Sequence, residues 1–305
     1  MYTLIDRAFV GHIPGEGPSA LIAIGLSMPM ISVITAISAY IAFGSLANIS
    51  QSLGKHEPHK ASRFVGNAIS LSIVIGLAFT IIFFIFKPQI FHFLSVSNGI
   101  YPYIDQFLFI LMGGAFVSIL GFVLPILVRA NGGPLYSSMV ILAGCLLNIL
   151  LDWLFLFVFH LGIGGAAIAT IISHAVTVIL SIFHFVQGNS IIKLEKNNFA
   201  LNFNIIHSIS LIGLVPLTNN LSIGIAQIIM NFSLSHNGGE IYVGALATIV
   251  SIISLIMMRI FGLNQGIMPI LGYKFAQKSY KRVFQTLYHS VGYGLIFLTL
   301  GTVFI

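Results

Sequence analysis

Residues 145–157 read CLLNILLDWLFLF. An asparagine and an aspartate, four positions apart, interrupt a run otherwise apolar enough for the interior of a lipid bilayer. On a helix, positions i and i+4 project from one face, so the side chains of Asn148 and Asp152 can converge on a single site. A charge at membrane depth costs at least about 2.5 kcal/mol on insertion scales, which makes an intramembrane acid a functional hypothesis. The plainer reading is that both residues hydrogen-bond to neighbouring helices.

The rest of the chain supports a membrane setting. Of 305 residues, 57% are hydrophobic and 7% charged, against about a quarter charged in soluble domains. The mean hydropathy is +1.03. Apolar runs between Gly, Pro and charge clusters place spans near 19–48, 63–86, 101–130, 134–159, 162–187, 205–235, 240–273 and 283–305, each of a length that can cross the hydrocarbon layer as a helix. Residues 1–12 are apolar too, but twelve helical residues rise only about 18 Å. They lack the basic region and cleavage site of a signal peptide, so they read as the end of a helix whose beginning is absent. The sequence also stops at TLGTVFI without a polar tail, so the expectation is a chain cut at both ends.

Net charge is +6, a balance that in a soluble protein would raise nucleic-acid binding. Here ten of the thirteen lysines and arginines, among them Lys55, Lys60, Arg63, Arg129 and Lys274, fall in alternate loops, and Lys87 stands alone on the other side. Such asymmetry orients a membrane protein and marks the basic side as cytoplasmic. Arg7 and Arg259 remain inside spans. The polar stretch 188–204 then becomes a cytoplasmic linker between residues 1–187 and 205–305. Cys145 has no partner cysteine in the chain. At an offset of 222 positions, Gly44 aligns with Gly266, Ala23 with Ala245, Lys60 with Arg282 and Ala61 with Val283. Internal repeats of this size are a common plan in transporters.

Depth connects the polar residues. Asp152 lies eight positions before His160, Thr170 eight after Gly162, and Asp6 six before His12, which puts all three roughly 10 Å below one surface. Two carboxylates, a carboxamide and a hydroxyl suit a hard cation or a proton held between acids. The remaining acids fall in or near loops. Arg259 could meet a substrate or pair with an acid. His160, His174 and His184 have no second ligand at helical spacing, so no metal site is expected. GIGGAAIAT (162–170) lacks the strand and lysine of a phosphate loop and suits close helix packing. Pro29, Pro125, Pro216 and Pro269 can bend the helices that carry them. No HExxH, GxSxG or paired-acid protease motif suggests an enzyme.

LIDRAFVGHIPG, NILLD, GIGGAAIAT and FGLNQGIMPILGYKFAQKSYKRV, taken together and in this order, resemble the multidrug and toxic compound extrusion (MATE) transporters along essentially the whole chain. The resemblance implies an all-α polytopic membrane protein built as a two-lobe helical bundle. It would hold a nearly complete N-terminal lobe of six helices, the first shortened, and about three helices of the C-terminal lobe. It implies a monomeric, multi-pass protein of the cell membrane that exports lipophilic, often cationic compounds in exchange for Na+ or H+, with no other cofactor and no nucleic-acid partner. The family's cation-site positions match Asp6, Asn148, Asp152 and Thr170, in agreement with the depth argument. The chain departs from the family pattern at Arg259, where proline is usual, and at PLTNNLSIGIAQ, where some branches carry an acid. A lipid-linked saccharide flippase of the same superfamily and an inactive fragment are the alternative readings.

Overall fold

A computed structural model describes residues 2–13, 16–94, 96, 98–187, 190–238, 257 and 260–303. The described residues are helical apart from turns and one linker. They form α1 (Tyr2–Gly11), α2 (Gly17–Gly54), α3 (Pro58–Phe93), α4 (Tyr101–Gly113), α5 (Ala115–Ala130), α6 (Pro134–Trp153), α7 (Gly162–Val186) and α8 (Phe203–Gly238). Residues 260–276 form α9, and α10 is Tyr280–Val303. Among the described residues five helices are long and apolar enough to cross a membrane, and α4 with α5 supplies a sixth crossing if that bent pair is one span.

That pair corrects the continuous helix expected over 101–130. The chain bends by 54° between α4 and α5, where Gly113 and Gly114 adjoin. Consecutive glycines favour a break because neither brings a side chain that packs the helix straight. The helix α10 falls below the apolar density of the other spans, since Thr286, His289 and Ser290 dilute its first half. The span expected over 240–273 lies largely outside the described residues.

Helix α6 shows how these residues make a bundle in lipid. Its buried face is Ser137, Val140, Gly144, Asn148 and Asp152, successive positions at helical spacing, while Leu142, Leu146, Leu150 and Trp153 are exposed. The usual amphipathic order is inverted, because the surrounding solvent is apolar and the inner face can hold small and polar groups. On α7 the matching face is Ala169, Ser173, Thr177 and Ser181. A Cβ at Gly144 would strike the Thr177 hydroxyl, so the two helices approach closely there. GIGGAAIAT is a packing segment as well: a Cβ on Gly165 would lie 3.0 Å from Phe155 Cβ.

Helix α8 lies along α2 at similarly short range. Gly44 faces the Ile209 carbonyl and Gly213 faces the Tyr40 carbonyl. Asn48 Nδ2 donates to the Ser208 carbonyl at 3.1 Å, and the Tyr40 and Ser210 hydroxyls bond to each other. The polar segment before α8 is a packed strap rather than a free linker. Asn67 Nδ2 donates to the Asn198 carbonyl at 3.2 Å, its Oδ1 accepts from the Asn202 amide at 2.8 Å, and Ser70 Oγ donates to the Phe199 carbonyl at 2.7 Å. Replacing Asn67, which is 1% exposed, with Ala leaves buried backbone groups unpaired at a cost of about 1–3 kcal/mol. Limited proteolysis should then cut within 190–202 faster than in the wild type.

The repeat at 222 positions reappears as geometry. In the α2–α3 turn, amides 55, 56 and 57 donate to carbonyls 51, 53 and 52; in the α9–α10 turn, amides 277, 278 and 279 donate to carbonyls 273, 275 and 274. His56 and Lys278, equivalent at that offset, both have positive φ, 60° and 56°. Equivalent positions also meet each other. A Cβ on Gly272 would lie 2.9 Å from Ser50 Cβ, and one on Gly54 would lie 2.9 Å from Ala276 Cβ. Equivalent positions of the two halves thus face each other where α2 and α9 meet.

Candidate functional site

Six helices of residues 1–187, α1, α2 and α4 to α7, enclose a cavity of about 370 Å³. Asp6 and Arg7 of α1, Met28 of α2, Asn148 of α6, and Thr170 and His174 of α7 line it, together with Gln265 from α9. Asp152 stands behind this lining, fully buried at 0% exposure. Its carboxyl group is an electrostatic neighbour of the Asp6 carboxyl.

The polar groups here are unusually short of partners. Both oxygens of Asp152, Oδ1 of Asp6, and both Nδ2 and Oδ1 of Asn148 are buried without a hydrogen bond from any other described group. Two carboxylates are both acceptors and cannot satisfy one another without a proton or a cation between them. Half-satisfied polar clusters are costly in a low-dielectric interior. The donor set is all oxygen apart from the carboxamide nitrogen, which suits a small hard cation or a shared proton. Thr170 differs, because its hydroxyl donates to the Ala166 carbonyl at 3.0 Å; its oxygen lines the cavity and keeps lone pairs.

Local sequence accounts for the placement. Asp152 precedes a π-helical turn, Leu154–Val158, of the kind common at functional sites. That turn presents Phe157 to Phe9 of α1 edge to face, with ring centroids 5.9 Å apart. The contact holds α1 and its Asp6 against α6. Beyond the turn, Gly162 has φ +59° and lies under the Glu16 carboxylate, 3.2 Å from where a Cβ would be, which permits the sharp entry into α7.

Comparison with known proteins gives a family. The MatE family model matches residues 1–154 and 217–305. The chain belongs to the MatE family. Multidrug export protein MepA of Staphylococcus aureus (strain NCTC 8325 / PS 47) is 26% identical over 276 residues, covering 90% of this MatE chain and 60% of MepA. MepA of Staphylococcus haemolyticus is 27% identical over 277 residues with the same coverage. The MatE chain thus spans 60% of the length of these relatives. A crystal structure of MATE in complex with MaD3S superposes with a TM-score of 0.92 at 23% identity, over 100% of this chain and 68% of that one. An outward-facing multidrug resistance MATE transporter of the MOP superfamily gives 0.91 at 23%, over 100% and 67%. These structures share the fold: an all-helical, multi-pass membrane bundle.

Of the residues singled out from the sequence, Asp6, Asn148 and Thr170 line one cavity and Asp152 lies behind it beside Asp6. Arg259 lies outside the described residues. Two charged residues sit differently from expectation. Arg129, counted among loop cations, is 9% exposed near the end of α5, where its Nη1 donates to Gln265 Oε1 at 2.8 Å. Asp105, assigned near a loop, lies on α4 and pairs with Lys87 of α3. The sequence reading gave no site role to Arg7, whose Nη2 donates to Met28 Sδ at 3.2 Å, nor to His174 or Gln265. Arg7 had a visible signal, a cation beside an acid in an apolar segment. Gln265 had none, since a lone carboxamide becomes informative only once α5 is known to lie beside it.

Proposed function

We propose that the chain carries the cation-binding part of an antiporter that exports lipophilic, often cationic compounds in exchange for Na+ or H+ by alternating access. The observation that carries this reading is the buried Asp6–Asp152 pair, with Asn148 beside it, at the wall of a cavity lined by six helices of residues 1–187 and by α9. A cation or proton entering between the carboxyls relieves their repulsion and draws α1 toward α6. That motion reshapes the cavity wall formed by Asp6 and Arg7 and lowers its affinity for substrate, as coupling by differential binding requires. In this reading residues 1–187 form the N-terminal lobe, 188–204 a cytoplasmic linker and 205–305 part of the C-terminal lobe. The basic end faces the cytoplasm of a cell membrane, and the protein acts as a monomer.

The cavity lining supports an apolar cargo, with Ile24, Ile31, Phe107, Phe122 and Met28 among its walls. A single guanidinium, Arg7, faces it among the described residues, which suits a lipid-linked pyrophosphate poorly. The family membership and the printed function of the MepA relatives, multidrug export, support drug efflux over the alternatives.

The test uses the chain in vesicles. Trp153 is the only tryptophan and adjoins Asp152, so its fluorescence can report ion entry. Sodium at fixed pH should change the emission if Na+ is the coupling ion; a pH step without sodium should do so if it is H+. A signal indifferent to both would reject the site. Dye efflux under separately imposed sodium and pH gradients then tests coupling.

A further inference from the structure

A second cavity, of about 710 Å³, opens at the basic end of the bundle between the α2–α3 turn, the α5–α6 turn and the last turns of α9. Among the described residues its wall holds three basic side chains, Arg129, Lys274 and His56, and no acid. The rest is largely apolar, including Leu53, Ile191 and Ile270. Arg129 is the telling residue. It is 9% exposed, its hydrogen bond goes to a neutral carboxamide, and the ion pairs among the described residues are Lys60–Glu57 and Lys87–Asp105. Lys274 donates to Gln277 Oε1 at 3.1 Å and lies over the Tyr273 ring, again without a carboxylate.

A buried guanidinium calls for a counter-charge, because burying an isolated ion is costly and Arg cannot shed its proton. Its planar donors match a phosphate in bidentate geometry, and Lys serves as a point charge beside it. Greasy walls around two unpaired cations fit a ligand with an anionic head and apolar chains. Basic pockets between membrane helices take such headgroups.

We propose that this cavity binds the phosphate of an anionic phospholipid through Arg129 and Lys274, with its acyl chains along the apolar wall. Because Arg129 is bonded to Gln265, and Gln265 lines the first cavity, a bound lipid clamps the end of α5 to α9. The proposal does not depend on the acid pair, and Asp152→Asn should leave lipid retention unchanged.

The experiment compares retention on the purified chain, by native mass spectrometry, of phosphatidylglycerol and phosphatidylcholine, with inorganic phosphate as a third arm. Phosphatidylglycerol should be retained preferentially and should raise the thermal midpoint. Lys274→Gln and Arg129→Gln should each weaken its retention about fivefold. Lys274→Gln leaves the buried Arg129–Gln265 bond in place, so it reports on binding even if the Arg129 variant folds poorly. Equal retention of both lipids, retention unchanged by Lys274→Gln, or a midpoint shift reproduced in full by inorganic phosphate would each overturn the assignment.

Discussion

Asp152→Asn should abolish the cation response of Trp153 and any gradient-driven efflux, while the protein still inserts and folds. The carboxamide keeps the volume of the carboxyl and can donate to Asp6, so the buried pair gains a hydrogen bond and loses a charge. What disappears is the second negative oxygen that makes room for a cation or a shared proton. Removing one partner of a buried charge pair between a bound ion and its site costs about 2–5 kcal/mol of binding, so ion affinity should fall by about a hundredfold. Fluorescence titration against sodium and against pH measures the loss, and circular dichroism at 222 nm checks the fold. An ion response of wild-type amplitude and midpoint in the variant would remove Asp152 from the site.

Gly44→Leu should be strongly destabilising although it lies away from the acids. The Cβ alone would fall on the Ile209 carbonyl and lie 3.0 Å from Ile209 Cγ2, so α8 must move as a unit. Overpacking a well-filled interior costs about 1–3 kcal/mol, and backbone is the least yielding obstacle. The displacement also breaks the Asn48 bond to Ser208 and the Tyr40–Ser210 contact. The thermal midpoint should drop by roughly 5–10 °C. Gly25→Leu is the control, because nothing lies within 4 Å of its added Cβ and its midpoint should hold. Equal midpoints for the two variants would show that the α2–α8 seam contributes little.

Much of this could be read from the chain because membrane burial inverts the usual pattern and leaves polar residues conspicuous. In CLLNILLDWLFLF the spacing of Asn148 and Asp152 marks the inner face of α6, and equal depth brings Asp6 alongside. Depth carries no information on rotation about a helix axis, so it could not reveal that Asp152 sits behind the cavity wall while Asp6 and Asn148 form it. Composition reads 188–204 as a polar linker, because the partners that satisfy it, Asn67 and Ser70, are more than a hundred residues earlier. The bend after Gly113 was hidden for a similar reason, since periodicity runs through it without interruption. Arg129 reads as a loop charge until the neighbouring α9 covers it.

The meeting of Ser50 with Gly272 and of Gly54 with Ala276 has a mechanical meaning. Small residues let the two backbones nearly touch here, so any relative tilt of α2 and α9 would pivot close to this contact, and α2, which begins at Gly17, extends about 50 Å from Ser50. A small swivel at these four residues is therefore magnified along the helices, and bulk added there would jam the fulcrum rather than the mouth.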